Sequence, residues 1–241
     1  MGKRIRQRRK GTGTNRYRSL SFKFSEKIQM RAYNEKEKNG VMNGKVIDIV
    51  DTRAHHAPLV KISFEDNANI TLPATYRVKI GDVVESGGKA TASLGNILPL
   101  KNIQEGTFIS GIETYPGSGP KLCRSSGSFA RLVTKTPEGI VVELPSKKQK
   151  TLSEECRALI GIVAGSGRKE KPFVKAGTHH HARRVRGNVY PRVSGVAMNA
   201  VNHPFGSGRG RHAGKPRTPP RFAPPGRNVG AIRARRTGRR K

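Results

Sequence analysis

Several features that define common protein classes are scarce or absent in this chain. It has no tryptophan and only two cysteines, Cys123 and Cys156, whose spacing fits no metal-binding knuckle. No apolar run approaches the roughly 18–20 residues of a transmembrane helix, and no apolar segment follows the cationic start, as a signal peptide would require. We therefore expect a cytoplasmic protein with reduced thiols and without a membrane partner, a metal site or a cofactor.

Acidic residues are also scarce, and their distribution is uneven. The chain has 48 Lys and Arg against 16 Asp and Glu, a formal net charge of +32. Residues 1–25 and 171–241 carry 9 and 18 basic residues and no acidic one, so all 16 acids lie in residues 26–170 beside 21 basic residues. Two purely cationic ends repel themselves unless a polyanion neutralises them. The charge alone is compatible with three kinds of partner: nucleic acid, an anionic membrane surface or an acidic protein.

The nearly neutral middle has short β-branched runs separated by turns, and almost no helical periodicity. A turn is expected at Asp66-Asn67, and Pro137 and Gly139 suit a type I turn that joins two strands into a hairpin. This pattern predicts two successive small barrels. The predicted strands are residues 46–50, 59–64, 70–72, 78–84, 108–113, 130–135, 140–144 and 159–163.

Residues 190–217 combine glycine, proline and basic residues with no acid. Ordering the backbone costs roughly 1–2 kcal/mol per residue, and such a segment has little apolar area to offset that cost. An external partner must therefore order it. The arm at residues 1–25 alternates cations with Tyr17, Phe22 and Phe24, which suits RNA stacking, and residues 217–241 are expected to be unpacked.

Two further segments offer polar groups. Residues 117–128 carry glycines, serines, Lys121 and Arg124, a composition suited to phosphate oxygens but without the spacing of a nucleotide-binding loop. His179, His180 and His181 could be read as a metal cluster. Adjacent histidines rarely converge on one ion and no acid or cysteine lies near them, so contact with RNA is favoured.

His203 and His212 raise the question of an enzyme. A catalytic imidazole usually needs an orienting carboxylate, and none occurs in residues 171–241. We therefore predict no catalytic residue and expect His203 to fix its loop through hydrogen bonds.

The segment from Tyr190 to Gly208, with its pattern V-x-G-V-A-M-N-x-V-x-H-P-F-G, closely resembles the universal large-subunit ribosomal protein of the L-two family. Residues 119–127, 171–177 and 223–230 add to the resemblance, so it spans nearly the whole chain. Phe205 and the segment at 171–177 are similar to the archaeal and eukaryotic branch, and the compact length favours an archaeon.

The resemblance implies a mainly β fold, with an OB-like barrel followed by an SH3-like barrel and long irregular basic extensions. The expected boundaries are 1–36 for the arm, 37–90 and 91–170 for the barrels, and 171–241 for the RNA-binding extension. The resemblance also implies a structural protein that binds large-subunit rRNA near the peptidyl transferase centre. Its further partners would be neighbouring ribosomal proteins and the small subunit, and it would support subunit association and tRNA binding. A free-standing nucleic-acid-binding architectural protein is the alternative.

Three positions depart from the family pattern. Asn202 stands where an acid usually precedes the histidine, Ser194 replaces a usual arginine, and Ser207 interrupts the glycine run. The loss of the acid weakens any chemical role for His203.

The residues expected to contact RNA share a cationic, hydrogen-bonding or glycine character. They are Arg4, Arg6, Arg8, Arg9, Arg16, Arg18, Lys121, Arg124, Lys175, His179, His180, His181, Arg183, Arg184, Arg186, Arg192, Asn199, His203, Gly206, Gly208, Arg209, Arg211, Lys215, Arg217, Arg227, Arg235 and Arg236.

Overall fold

The structure is a computed structural model that describes residues 2–24, 26–208 and 210–232. The chain divides into two compact units. Residues 21–172 form a β unit, and residues 1–20 together with 173–241 form a second unit, called here the basic unit. Within the described ranges, no helix combines the length and apolar character that crossing a membrane requires.

The β unit holds ten strands in one continuous sheet, in the order β3-β2-β1-β4-β5-β10-β6-β7-β8-β9. Their bounds are β1 Met42–Val50, β2 Leu59–Phe64, β3 Asn69–Pro73, β4 Val83–Ser86, β5 Ile97–Pro99, β6 Phe108–Ser110, β7 Ala130–Thr136, β8 Gly139–Glu143, β9 Gln149–Leu152 and β10 Arg157–Ile160.

The sheet covers two separate cores, as two successive barrels require. The first gathers buried side chains such as Val46, Ile62 and Leu72 from β1 to β3. The second is built around Ile109 and Leu132, from β6 and β7. The predicted mainly β fold, an OB-like barrel followed by an SH3-like barrel, is confirmed.

Both predicted turns are present. Asn67 lies between β2 and β3 with a φ of 59°, a left-handed conformation that asparagine tolerates well. Thr136 pairs with Gly139 at the tip of the β7–β8 hairpin. The expected strand at 78–84 is shorter than predicted, because residues 79–82 form a turn and pairing begins at Val83.

Two strands, β5 and β9, were not predicted from the sequence. β5 has only three residues, and the first three residues of β9 are polar and exposed because this strand lies at the edge of the sheet. Neither one carries the alternating apolar pattern that predicts a strand.

A buried ionic network lies inside the β unit. The Arg157 guanidinium donates to both Glu113 oxygens, at 2.9 and 3.2 Å, and to Oε1 of Glu37 at 3.2 Å. Glu37 also accepts from Arg31 Nε at 3.1 Å and from the Ser86 hydroxyl. The side chains of Arg157, Glu37 and Glu113 are at most 2% exposed, so their charges are balanced by one another, by Arg31 and by nearby polar groups.

Short helices complete the described structure. They are α1 Arg6–Gly11, α2 Glu35–Asn39 and α3 Ala176–Arg184, with 3-10 turns at Asn15–Tyr17, Ser21–Lys23, Leu100–Asn102 and Gly195–Ala197. The last turns of α1 and α3 are rich in basic residues, which interact favourably with the negative end of a helix dipole. Helix α1, which lies in the arm, was not predicted from the sequence.

Candidate nucleic-acid interface

The two cationic ends of the chain meet in the basic unit. The amide of Lys3 donates to the carbonyl of Val201 at 2.8 Å. Ile5, Phe205 and Val229 form a small buried cluster, and Val229 is fully buried. The expectation that residues 217–241 would be unpacked is therefore wrong at Val229, because apolar side chains from three distant segments bury one another.

One cavity of the basic unit, the arm cleft, has a volume of about 310 Å³. It brings five cations from the arm and from the extension to one place. Its lining residues are Gly2, Lys3, Arg4, Ile5, Arg8, Ala200, Val201, His203, Pro204, Lys215, Gly226 and Arg227.

A second cavity, the aromatic cleft, has a volume of about 730 Å³ and combines cations with rings. Its lining residues are Arg6, Gln7, Lys10, Tyr17, His179, Arg183, Gly187, Asn188, Val189, Tyr190, Pro191, Arg192, Val193, Gly195, Met198 and His203. His203 lines both clefts, so this one side chain lies where the two cavities approach each other.

No carboxylate side chain occurs in the described part of the basic unit, residues 2–20, 173–208 and 210–232. Its arginines instead bond to neutral groups: Arg9 Nε donates to the Arg4 carbonyl at 2.8 Å, and Arg227 donates to the Pro216 carbonyl at 2.7 Å. Such bonds orient a guanidinium without neutralising it. The unit therefore presents uncompensated positive charge to an anionic ligand.

The three adjacent histidines lie on α3 and have different surroundings. The His179 ring stacks on Phe173 at 4.7 Å with an interplanar angle of 7°, and it contacts Tyr190 at 4.1 Å. His180 Nδ1 lies 3.1 Å from the Tyr190 carbonyl oxygen. Among the described residues, no cluster of His, Cys, Asp or Glu could hold a metal ion. The stacked rings are instead of the kind on which nucleobases stack.

His203 is held in place by its own loop. Its Nδ1 accepts a hydrogen bond from the Phe205 amide at 3.1 Å, and its carbonyl accepts one from the Gly206 amide at 2.9 Å. Because Nδ1 is an acceptor, the neutral ring carries its proton on Nε2. Burial lowers the pKa of His203 below its ordinary value of 6.5, which favours this neutral form. These bonds agree with the expectation that His203 fixes loop geometry.

Two glycines of the same loop are required by the fold. A Cβ on Gly195 would overlap the His203 ring, with Nε2 at 2.7 Å. A Cβ on Gly206 would overlap the backbone carbonyls of Met198, at 2.5 Å, and Asn199. Gly208, by contrast, has open space around it. Close packing of the loop on itself therefore explains the glycine at 206 without any ligand.

The glycine- and serine-rich loop at 117–128 belongs to the β unit. The buried carboxylate of Glu113 accepts from the amides of Gly117 and Gly119, at 3.3 and 2.9 Å. These two amides are therefore already engaged. The prediction of a phosphate contact in this loop rests on the exposed Lys121 and Arg124.

The structure brings some of the predicted RNA-binding residues together. Arg4, Arg8, Lys215 and Arg227 line the arm cleft, and Arg6, His179, Arg183 and Arg192 line the aromatic cleft. The other described members of the predicted set line neither cleft: Arg9, Arg16, Arg18, Lys121, Arg124, Lys175, His180, His181, Arg184, Arg186, Asn199, Gly206, Gly208, Arg211 and Arg217. Arg209, Arg235 and Arg236 lie outside the described residues.

The prediction omitted several residues that line these cavities, notably Lys3, Lys10, Tyr17 and Tyr190. Lys3 and Lys10 share the basic signal of the arm and could have been included. The role of Tyr17 and Tyr190 depends on the meeting of two segments that are far apart in sequence.

A mainly β body joined to an acid-free, cation-lined unit has the features of a nucleic-acid-binding protein. Comparison with known proteins identifies the particular family. Residues 93–222 match the family model described as Ribosomal Proteins L2, C-terminal domain.

Full-length relatives agree. A protein of Methanothermobacter thermautotrophicus named Large ribosomal subunit protein uL2 is 48% identical over 241 residues, which is 100% of both chains. Proteins of the same name from Methanobrevibacter smithii and Methanocaldococcus jannaschii are each 48% identical, over at least 99% of both chains. The chain belongs to the archaeal uL2 family of large ribosomal subunit proteins, as the sequence motifs predicted.

Proposed function

We propose that this chain is a structural component of the large ribosomal subunit and that the basic unit is its principal rRNA-binding surface. The observation that carries this proposal is the convergence of both acid-free ends on two adjoining cationic clefts. The family of the chain supports the ribosome as its setting, and thereby the cytoplasm as its location.

The two clefts suit different parts of an RNA strand. In the arm cleft, the guanidinium groups of Arg4, Arg8 and Arg227 offer forked donors for phosphate oxygens. In the aromatic cleft, the rings of Tyr17, His179 and Tyr190 offer a surface for bases. One strand segment could place its backbone in the first cleft and its bases in the second.

His203 acts in this proposal as a positioning residue. Its Nδ1 holds the Phe205 amide, and its Nε2–H is the group left to face RNA. No carboxylate of the described basic unit orients it as a base. The chain thus stabilises RNA that does the chemistry and has no enzymatic role of its own. We extend the proposal to rRNA near the peptidyl transferase centre, a contact with the small subunit, and support of tRNA binding, all by family resemblance.

The salt dependence of binding tests the arm cleft. We expect Arg4→Gln combined with Lys215→Gln to reduce the slope of log K against log salt for a large-subunit rRNA transcript by about 2, one for each phosphate that the variant no longer neutralises. The matched control is Lys36→Gln, which removes an exposed cation from the β unit and should leave the slope unchanged. An unchanged slope in the double variant would exclude the arm cleft as a phosphate site.

Sedimentation separates the proposal from a free-standing architectural protein. In a native cell extract the ribosomal protein should migrate with large subunits. Migration with bulk DNA, or as free protein, would support the alternative.

A further inference from the structure

A second aromatic surface lies in the β unit, and neither of its two rings was among the residues expected to contact RNA. Phe108 on β6 and Phe129 just before β7 form an edge-to-face pair with ring centroids 4.9 Å apart. Their side chains are not part of the core, since Phe108 is 45% exposed and Phe129 39%. Two adjacent large apolar rings at the surface of a folded unit indicate a place that a ligand covers.

The two rings line a cavity of about 570 Å³, a size typical of ligand sites. Strand pairing fixes this arrangement, because Phe108 lies directly opposite Arg131 in the antiparallel β6–β7 register. The rest of the wall comes from the loop at 126–128, the end of β8 and residues 166–170. Phe108 therefore stands on a paired strand, and Phe129 directly precedes one.

Positive charge surrounds the rings. Arg131, Lys147, Arg168 and Lys169 line the cavity, and among the described residues none of these four forms an ion pair. Two carboxylates, Glu143 and Glu170, also line the cavity, so cations outnumber acids two to one. Arg168 is held over the site by a 2.7 Å bond from its Nε to the Ser126 hydroxyl.

From this arrangement we infer that the Phe108–Phe129 surface binds an unpaired nucleobase of rRNA, with the flanking cations contacting its phosphates. An apolar protein segment would match the rings, but it would leave the four cations without counterions. A nucleotide satisfies both, since it joins a π-face to a negative charge. This inference rests on the proposed rRNA-binding function and adds a site separate from the two clefts of the basic unit.

The test compares full-length variants for binding to a large-subunit rRNA transcript. Phe108→Leu and Phe129→Leu keep apolar contact but remove the π-face, whereas Phe108→Tyr and Phe129→Tyr keep the ring and serve as matched controls. Loss of one stacked base costs about 1–3 kcal/mol, which corresponds to a roughly 5- to 150-fold weaker affinity. We expect the leucine variants to lose that affinity with an unchanged salt slope, because every cation stays in place, and the tyrosine variants to bind like the wild type.

Fluorescence gives a second, direct measurement. The chain has no tryptophan, so Phe129→Trp introduces a single indole at the site. Stacking of a base on that indole should quench its emission when the rRNA transcript is added.

The outcomes separate this inference from the proposed function. Leucine variants that bind like the wild type, together with unquenched indole emission, would overturn the nucleobase site and leave rRNA binding by the basic unit intact. Leucine variants that bind the transcript normally but fail to join assembled subunits would show that a protein occupies the surface, which also overturns the inference. A wild-type chain that does not bind the transcript would overturn both proposals.

Discussion

The buried ionic network makes a strong prediction for Arg157→Met. The substitution keeps an unbranched apolar stem but removes the guanidinium that lies between Glu113 and Glu37. Removing one partner of a buried ion pair generally costs about 3–5 kcal/mol, because the remaining charge is left buried.

The loss of stability expected for Arg157→Met lies at the lower end of that range. Without the guanidinium, Glu113 still accepts from the amides of Gly117, Gly119 and residue 157 itself. Glu37 still accepts from Arg31 and Ser86. Each carboxylate therefore keeps part of its stabilisation, and we expect a loss of about 3 kcal/mol in the free energy of unfolding.

Urea unfolding, followed by far-ultraviolet circular dichroism of the strands, measures this loss. With a slope of about 2 kcal/mol per molar urea, the midpoint should fall by about 1.5 M while the slope stays constant. The control is Lys61→Met, which breaks the 3.0 Å pair with Glu26, where both side chains are partly exposed. An exposed pair contributes at most about 1 kcal/mol, so its midpoint should fall by less than about 0.5 M. Equal shifts in the two variants would refute the argument that burial sets the cost.

Two further predictions concern pH and the loop of His203. Hydrogen bonds from Arg31, and then one from the Ala68 amide, hold the pKa of Asp66 at about 2, against an ordinary 3.8. The folded state therefore binds a proton at Asp66 less readily than the unfolded state does. The ionised carboxylate stabilises the fold above pH 3.8, and this stabilisation is lost as the pH falls towards 2. Urea titrations at several pH values should show that the stability of Asp66→Asn falls less over this range. Gly206→Ala should disrupt its loop and weaken binding to the rRNA transcript, because the new Cβ would overlap the backbone of Met198 and Asn199. Gly210→Ala has nothing within 4 Å and should bind like the wild type; if the two variants behaved alike, the packing at Gly206 would not matter.

The sequence predicted most strands of the β unit because their β-branched residues fill two cores. At β2, all of residues 59–64 were assigned correctly. The sequence did not predict the ionic network around Arg157. Arg157 and Glu37 are 120 residues apart, and no local pattern indicates that two such charged residues are buried together. Met30 is buried against the core of the first barrel, and the compact β unit spans residues 21–172, so we propose that the stable unit begins near residue 21. The predicted boundary at 36–37 lies beyond that buried residue.

The sequence predicted the positive charge of the candidate interface but not its shape. The absence of acids from both ends predicted a polyanion partner. The pairing of those ends depends on Ile5, Phe205 and Val229, and each of these is a single apolar residue in a polar segment. No local pattern indicates that such residues pack together.

The bond between Lys3 and Val201 also has a consequence for the newly made chain. Lys3 and Ile5 leave the translating ribosome about 200 residues before Val201 and Phe205, with which they pack. At a synthesis rate of about 5–20 residues per second, that separation lasts roughly 10–40 s. Throughout this time the partners of Lys3 and Ile5 are missing, so the basic residues around them are open to any RNA nearby. Nascent chains of this protein should therefore need shielding before the last quarter of the sequence emerges.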